Sequence, residues 1–207
     1  MRVLVVGAAG RTGRAVVERA AAEGHEVTAF VYSDHGNGLP GVRVLVGDAG
    51  DAAAVDAGVR GQDAVIDTVG GKTPYRRTDL EASAAAVIVA AMQRHGARRL
   101  VVTSSLGVGE SAKHTPPLTK VVVATFLRGS TADKAAMEAV VSGSGLDWVI
   151  ARPAVLTDGP ATGQVRALAP GDRGRAKGIS RPDLAAFLVA QLTSNDHLLR
   201  AVTLATR

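Results

Sequence analysis

Short runs of apolar, β-branched residues alternate along this chain with longer stretches whose apolar side chains recur at helical spacing. Residues 3–6 predict a first strand. A glycine-rich turn follows, and a helical pattern over 14–23 closes on Gly24, placed as a C-terminal cap. Further strands are predicted at 26–31 and 42–46. A short helix opens at Asp51, with Ala54, Val55 and Val59 on one side. Residues 64–69 predict the fourth strand, and 79–95 a long Ala-rich helix stopped by Gly96. The fifth strand falls at 100–104, and residues 120–142 read as helical with a break at Gly129. A sixth strand at 148–151, a helix over 181–193 and a last strand at 202–205 complete the pattern; Ser180 and Asp183 suit that helix's first turn.

Strands alternating with helices predict right-handed βαβ units around a parallel sheet. Continuous apolar runs such as Leu100-Val101-Val102 fit strands buried on both faces. The expectation is an α/β fold: a doubly wound parallel sheet in three αβα layers, forming a single domain over residues 1–207. Loops at 70–78, 105–119 and 154–178 emerge at the carboxyl ends of the strands. The last two, rich in Pro and Gly, form a small substrate region.

The turn after the first strand carries the clearest chemistry. Gly7-Ala8-Ala9-Gly10-Arg11-Thr12-Gly13 lies between strand and helix, an order that sets a pyrophosphate on a helix N-terminus. Gly7 serves the tight turn, Gly10 the close approach of backbone to phosphate, and Gly13 the packing of helix on sheet. Asp48, in Val46-Gly47-Asp48-Ala49, is placed to accept the adenine amino group; a helix cap or Asx turn before Asp51 is the alternative. Gly70 and Gly71, after the fourth strand, let backbone run beside the cofactor or serve only as turn glycines. The end of the second strand leaves the nicotinamide cofactor open. Asp34, 21 residues beyond Gly13, suits a ribose hydroxyl, whereas Tyr32, Ser33 and Arg11 suit a 2′-phosphate.

Composition narrows the alternatives. The chain is 46% hydrophobic but 3% aromatic, so stacking platforms for bases are not expected. It has no Cys, which removes thiol nucleophiles and Cys-ligated metals. The five His (25, 35, 95, 114 and 197) have no metal-ligand spacing. Ser142-Gly143-Ser144-Gly145 reads as a helix stop, and Gly-x-Ser-x-Gly is missing. The net charge of +5 is scattered, without the continuous basic stripe that nucleic acid requires. The most apolar stretches, 82–92 and 184–192, are too short to span a bilayer, and the N-terminus reads as strand rather than leader. A soluble cytoplasmic protein, monomer or homodimer, is expected.

The sequence resembles the atypical short-chain dehydrogenase/reductase family, and within it is similar to the flavin reductase/biliverdin-IXβ reductase group. The resemblance rests on the glycine turn, Val46-Gly47-Asp48, Gly61-Gln62-Asp63-Ala64-Val65-Ile66 and the stretch from His95 to Ser105. Ser144-Gly145-Leu146-Asp147-Trp148-Val149-Ile150-Ala151-Arg152-Pro153 and Ile179-Ser180-Arg181-Pro182-Asp183-Leu184-Ala185 continue it. It implies a Rossmann-like fold and a cofactor held by Gly7, Ala9, Gly10, Arg11, Thr12, Gly13, Tyr32, Ser33, Asp48, Ala49, Val69, Gly70, Gly71, Thr103 and Pro153. NADP(H) is favoured and NAD(H) is the alternative, because Tyr32 stands where relatives commonly carry Arg. Ser104 matches the serine that relatives set beside the nicotinamide, which makes it the candidate catalytic residue. Lys134 falls at the Lys of a Tyr-x-x-x-Lys pair, but Ser130 takes the Tyr position, so Lys134 pairs instead with Glu138 on the helix surface. Ala154 replaces a His of the biliverdin-reducing relative. The implied function is reduction of a flavin, a quinone or a similar planar acceptor. The alternatives are a dinucleotide-binding redox sensor without turnover and an epimerase with tightly bound NAD.

Overall fold

The computed structural model describes residues 1–33, 41–71, 78–114, 128–168 and 178–206. Asp34, His35, Tyr75 and the predicted helical segment 120–127 lie outside the described residues. The elements are β1 (Arg2–Val6), α1 (Arg11–Ala22), β2 (Glu26–Val31), β3 (Arg43–Val46), α2 (Ala52–Val59), β4 (Ala64–Asp67), α3 (Leu80–His95) and β5 (Arg99–Thr103). A 3-10 turn (Gly109–His114), α4 (Arg128–Ser142), β6 (Asp147–Pro153), β7 (Leu156–Thr157), β8 (Val165–Leu168), β9 (Ile179–Ser180), α5 (Arg181–Ala190) and β10 (Arg200–Thr206) follow.

Eight strands form one sheet in the order β3-β2-β1-β4-β5-β6-β10-β8. All neighbours are parallel except β8, which runs antiparallel to β10. The order reverses direction between β1 and β4, so a crevice opens beyond their carboxyl ends. Alternation along the strands divides the interior into two layers. Val3, Val5, Ala64, Ile66 and Val101 pack with α1 and α5 on one face. Leu4, Val6, Val65, Leu100 and Val102 pack with α2, α3 and α4 on the other. Among the described residues, no helix is long and apolar enough to cross a membrane.

Among the described residues the predicted strands and helices appear, most of them with altered limits. α1 begins at Arg11 rather than at residue 14, because Gly10 adopts the extended N-cap conformation directly after the turn. α3 begins at Leu80, and Asp79 does not cap it: Asp79 is left-handed, with φ of 52°. Asp133 of α4 does so instead, accepting the N–H groups of Glu81 and Ala82 at 3.1 and 3.0 Å. The segment 154–178, read as loop, contains β7 and β8. β7 pairs with β9, and β8 completes the sheet edge.

Candidate dinucleotide site at the carboxyl edge of the sheet

The glycine turn is shaped by the crevice it lines. Gly7 has φ of 77°, and a Cβ there would sit 3.0 Å from the carbonyl carbon of Thr68. The N–H groups of Gly7 and Ala8 donate to the Phe30 carbonyl at 3.1 and 3.2 Å, which ties the turn to β2. A Cβ on Gly13 would lie 2.8 Å from the Ala8 Cα and closer still to the Gly7 carbonyl oxygen. Gly13 therefore lets α1 start against the turn. Gly10 offers no side-chain cap, so the positive end of α1 opens into the crevice with no capping group of its own. Across the crevice, Thr68 donates its hydroxyl to the Val6 carbonyl at 2.8 Å.

The other predicted cofactor residues lie along the same edge. Tyr32, 76% exposed, and half-buried Ser33 follow β2. Asp48 and Ala49 follow β3; Asp48 is exposed, and its Oδ1 accepts the Gly50 N–H at 2.8 Å in an Asx turn. Asp51, not Asp48, caps α2, accepting from Ala53 and Ala54. Gly47, just before Asp48, cannot carry a Cβ without meeting Phe30 and Ala54. Val69, Gly70 and Gly71 follow β4, and Thr103 and Pro153 end β5 and β6. The Thr103 hydroxyl is buried without a hydrogen-bond partner. An orphaned buried hydroxyl is costly unless a ligand completes it. The open helix end, the side-chain-free glycine cradle and this hydroxyl together fit a dinucleotide lying along the edge.

A buried polar system lies beneath that edge, on the face toward α3 and α4. Ser104 donates its hydroxyl to Glu138 Oε1 at 2.6 Å and is 3% exposed. Arg152 donates to the same carboxylate through Nε at 2.9 Å and Nη2 at 2.5 Å. Lys134 reaches Glu81 of α3 at 2.8 Å, and Glu81 also accepts the Gly71 N–H at 3.1 Å. The expected surface pair of Lys134 with Glu138 is thus not formed. Both residues turn inward, because α4 packs its polar stripe against the strand ends, and each finds its partner on another element.

Asp67 completes this system. It is buried, and its Oδ1 accepts the Val69 N–H at 2.9 Å, which shapes the turn after β4. Burial pushes its carboxyl up to about 6; the Val69 N–H and Lys134 oppose the rise, and Glu81 adds to it. A carboxyl whose folded pKa is raised stabilises the fold below its unfolded value, and this contribution is lost as pH rises through about 6. Asp67→Asn should therefore leave stability nearly unchanged at pH 4. At pH 8 it should raise stability by up to about 3 kcal/mol. Urea titrations at the two pH values check this, and equal effects at both would assign the shift elsewhere.

On the opposite face, toward α1 and α5, Arg11 and Arg181 both form ion pairs with Asp158, just after β7. Arg11, expected to supply charge for a 2′-phosphate, is therefore turned across the turn toward β7. The segment beyond Asp158 is held by Asp183, which accepts from the Thr162 N–H and hydroxyl, the Gly163 N–H and the Ser180 hydroxyl. Burial raises the Asp183 pKa, but these hydrogen bonds together outweigh it and hold the carboxyl below its ordinary value.

Sequence reasoning assigned no site role to Asp67, Thr68, Glu81, Asp133, Arg152 or Asp158, and Glu138 entered only as the expected surface partner of Lys134. The spacing of Asp133, Lys134 and Glu138 along one helix was the visible signal, but their partners lie about 15 to 55 residues away.

Comparison with known proteins agrees with this geometry. The sequence model of a family described as NAD(P)H-binding matches residues 7–195. A Bacillus subtilis protein described as the uncharacterized sugar epimerase YhfK is 30% identical over 214 residues, covering 99% of this chain and 94% of that protein. The structure of ChuY, an anaerobillin reductase from Escherichia coli, is similar with a TM-score of 0.81 and 27% identity, covering 100% of this chain and 97% of that one. A candidate NADH-flavin reductase from Streptococcus pneumoniae shares the fold, with a TM-score of 0.78 and 23% identity over 100% of both chains.

Proposed function

This chain belongs to the NAD(P)H-binding family, and we propose that it is a cytoplasmic, NADPH-dependent reductase passing hydride to a flavin, a quinone or a similar planar acceptor. The observation that carries the reading is the environment of Lys134. Ser130 stands one helical turn before it, and its ammonium is committed to Glu81. No phenol is available on α4 to protonate an alkoxide, so alcohol–ketone chemistry lacks its acid. Sugar epimerisation, suggested by the name of the Bacillus relative, lacks the same group. Hydride transfer to a planar acceptor asks less of the protein. The bound nicotinamide supplies the hydride, and solvent supplies the proton. The protein positions the reactants and excludes water.

The glycine turn and the α1 N-terminus hold the pyrophosphate, Asp48 and Ala49 the adenine end, and Val69 to Gly71, Thr103 and Pro153 the nicotinamide half. Ser33 and Tyr32 flank the 2′-position. Ser104 has its hydrogen committed to Glu138 and so offers lone pairs. These suit a donor such as the carboxamide amino group, so Ser104 orients the nicotinamide. Ser104→Ala should lower kcat about tenfold, the worth of one orienting hydrogen bond, while cofactor affinity changes less. Equal losses in both would remove that role.

The deciding experiment is NADPH consumption by the purified protein with FMN as acceptor, with NADH run in parallel. Faster turnover with NADPH supports both the reaction and the cofactor. Tight binding without turnover favours the redox-sensor reading.

A further inference from the structure

Arg11 opens α1, Arg181 opens α5, and these two helices pack side by side on one face of the sheet. Their guanidinium groups converge on one carboxylate, Asp158, and neither has another acidic partner among the described residues. Asp183, two residues beyond Arg181, is saturated by Thr162, Gly163 and Ser180 and does not neutralise it. Arg181 is largely buried, with 16% of its side chain exposed, and its Nε has no partner. Two cations, one largely buried and one on the surface, thus share one anion, next to a helix end that already favours negative charge. A group carrying two negative charges matches this cluster better than a single carboxylate does.

We infer that Asp158 is a resident counter-ion, exchanged for the pyrophosphate of the dinucleotide when it binds, and that Arg11 and Arg181 then hold that pyrophosphate from the side. The inference rests on the reading that a dinucleotide occupies the glycine turn. The exchange needs little motion. β7 is anchored to β9 immediately before Asp158, and Thr162 and Gly163 are anchored by Asp183 just after it. Asp158 lies between the two anchors with its side chain 57% exposed, so it can swing into water while the segment stays in place.

The test is the affinity of the full chain and of Asp158→Asn for NADPH, NADH and ADP-ribose, all of which contain the pyrophosphate. Asp158→Asn should bind all three about two- to fivefold more tightly at low salt, the worth of one exposed ion pair no longer competing. The gain should shrink as salt is raised. It should vanish in the Asp158→Asn/Arg181→Gln double variant, and Asp196→Asn, in the turn before β10, should not reproduce it. Unchanged or weaker binding by Asp158→Asn would make Asp158 a strut rather than a competitor and overturn the inference. Tightening of NADPH alone would overturn the pyrophosphate assignment in favour of the 2′-phosphate. If wild type binds all three and the variant gains nothing, only this inference fails. If the variant gains affinity but FMN is not reduced, the proposed reaction fails and the counter-ion stands. If neither protein binds any of the three, both fail.

Discussion

Gly13→Ala is expected to abolish measurable dinucleotide binding and to destabilise the protein by about 3 kcal/mol, the upper range for overpacking a tight contact. The methyl group would meet backbone, the Ala8 Cα and the Gly7 carbonyl, rather than the flexible end of a side chain. Backbone cannot yield without moving either the turn or the first turn of α1. The first turn of α1 carries the open N–H groups on which the proposed phosphate binding depends, and the glycine turn sets their position, so stability and affinity should fall together. Gly24→Ala is the matched control. Gly24 has φ of 80°, but a Cβ there meets nothing within 4 Å. It should cost only about 1 kcal/mol of backbone strain and leave affinity intact. Urea unfolding and an NADPH titration on the two variants separate the cases. Retained binding in Gly13→Ala would show that the turn can yield.

Glu138→Ala is expected to be the most damaging substitution in the buried polar system, costing about 3–5 kcal/mol. It strands the Arg152 guanidinium, whose side chain is 12% exposed, without its counter-charge, and it leaves the Ser104 hydroxyl without its acceptor. The cost arises from the orphaned groups more than from the lost attraction. The double variant Glu138→Leu/Arg152→Met should therefore recover most of the stability, because neither charge of this pair is left behind without its partner. Equilibrium denaturation of the single and double variants tests this as a coupling energy. Additive losses would mean that the two residues act independently.

The parts of the fold legible in the sequence were those that local pattern encodes. β2 was predicted at its observed limits because the strand-forming run Val27-Thr28-Ala29-Phe30-Val31 lies between a helix cap and a polar turn. The glycine turn was legible because each glycine answers a local backbone demand. Long-range satisfaction was not legible. Asp133 caps a helix about 50 residues earlier in the chain, and nothing near Asp79 announces that the local acid will be left-handed and will not cap it. Asp67 lies inside the strand predicted over 64–69, where pattern gives it no role, whereas its burial and its bond to Val69 make it a turn-former. β8 sits in a segment whose glycines and prolines argue against a strand. It exists because β10 offers an unpaired edge to Val165, Arg166, Ala167 and Leu168. The same limit explains Lys134: helical spacing names its neighbours on α4 but not Glu81 on the helix beside it.

The chain's single tryptophan, Trp148, is the second residue of β6, opposite Leu100 of β5. The candidate site lies at the other end of these strands, five residues further on at Pro153, or about 17 Å at the usual rise of a strand. Its half-buried indole, packed against the core, is thus a spectroscopic beacon set away from the ligand. Intrinsic emission should follow unfolding cleanly and should not respond to contact with a bound nucleotide. A reduced nicotinamide, which absorbs where indole emits, can still dim it through space, whereas the oxidised ring cannot. Quenching by NADPH but not by NADP+ would then report occupancy of the edge without any rearrangement of the protein around the fluorophore.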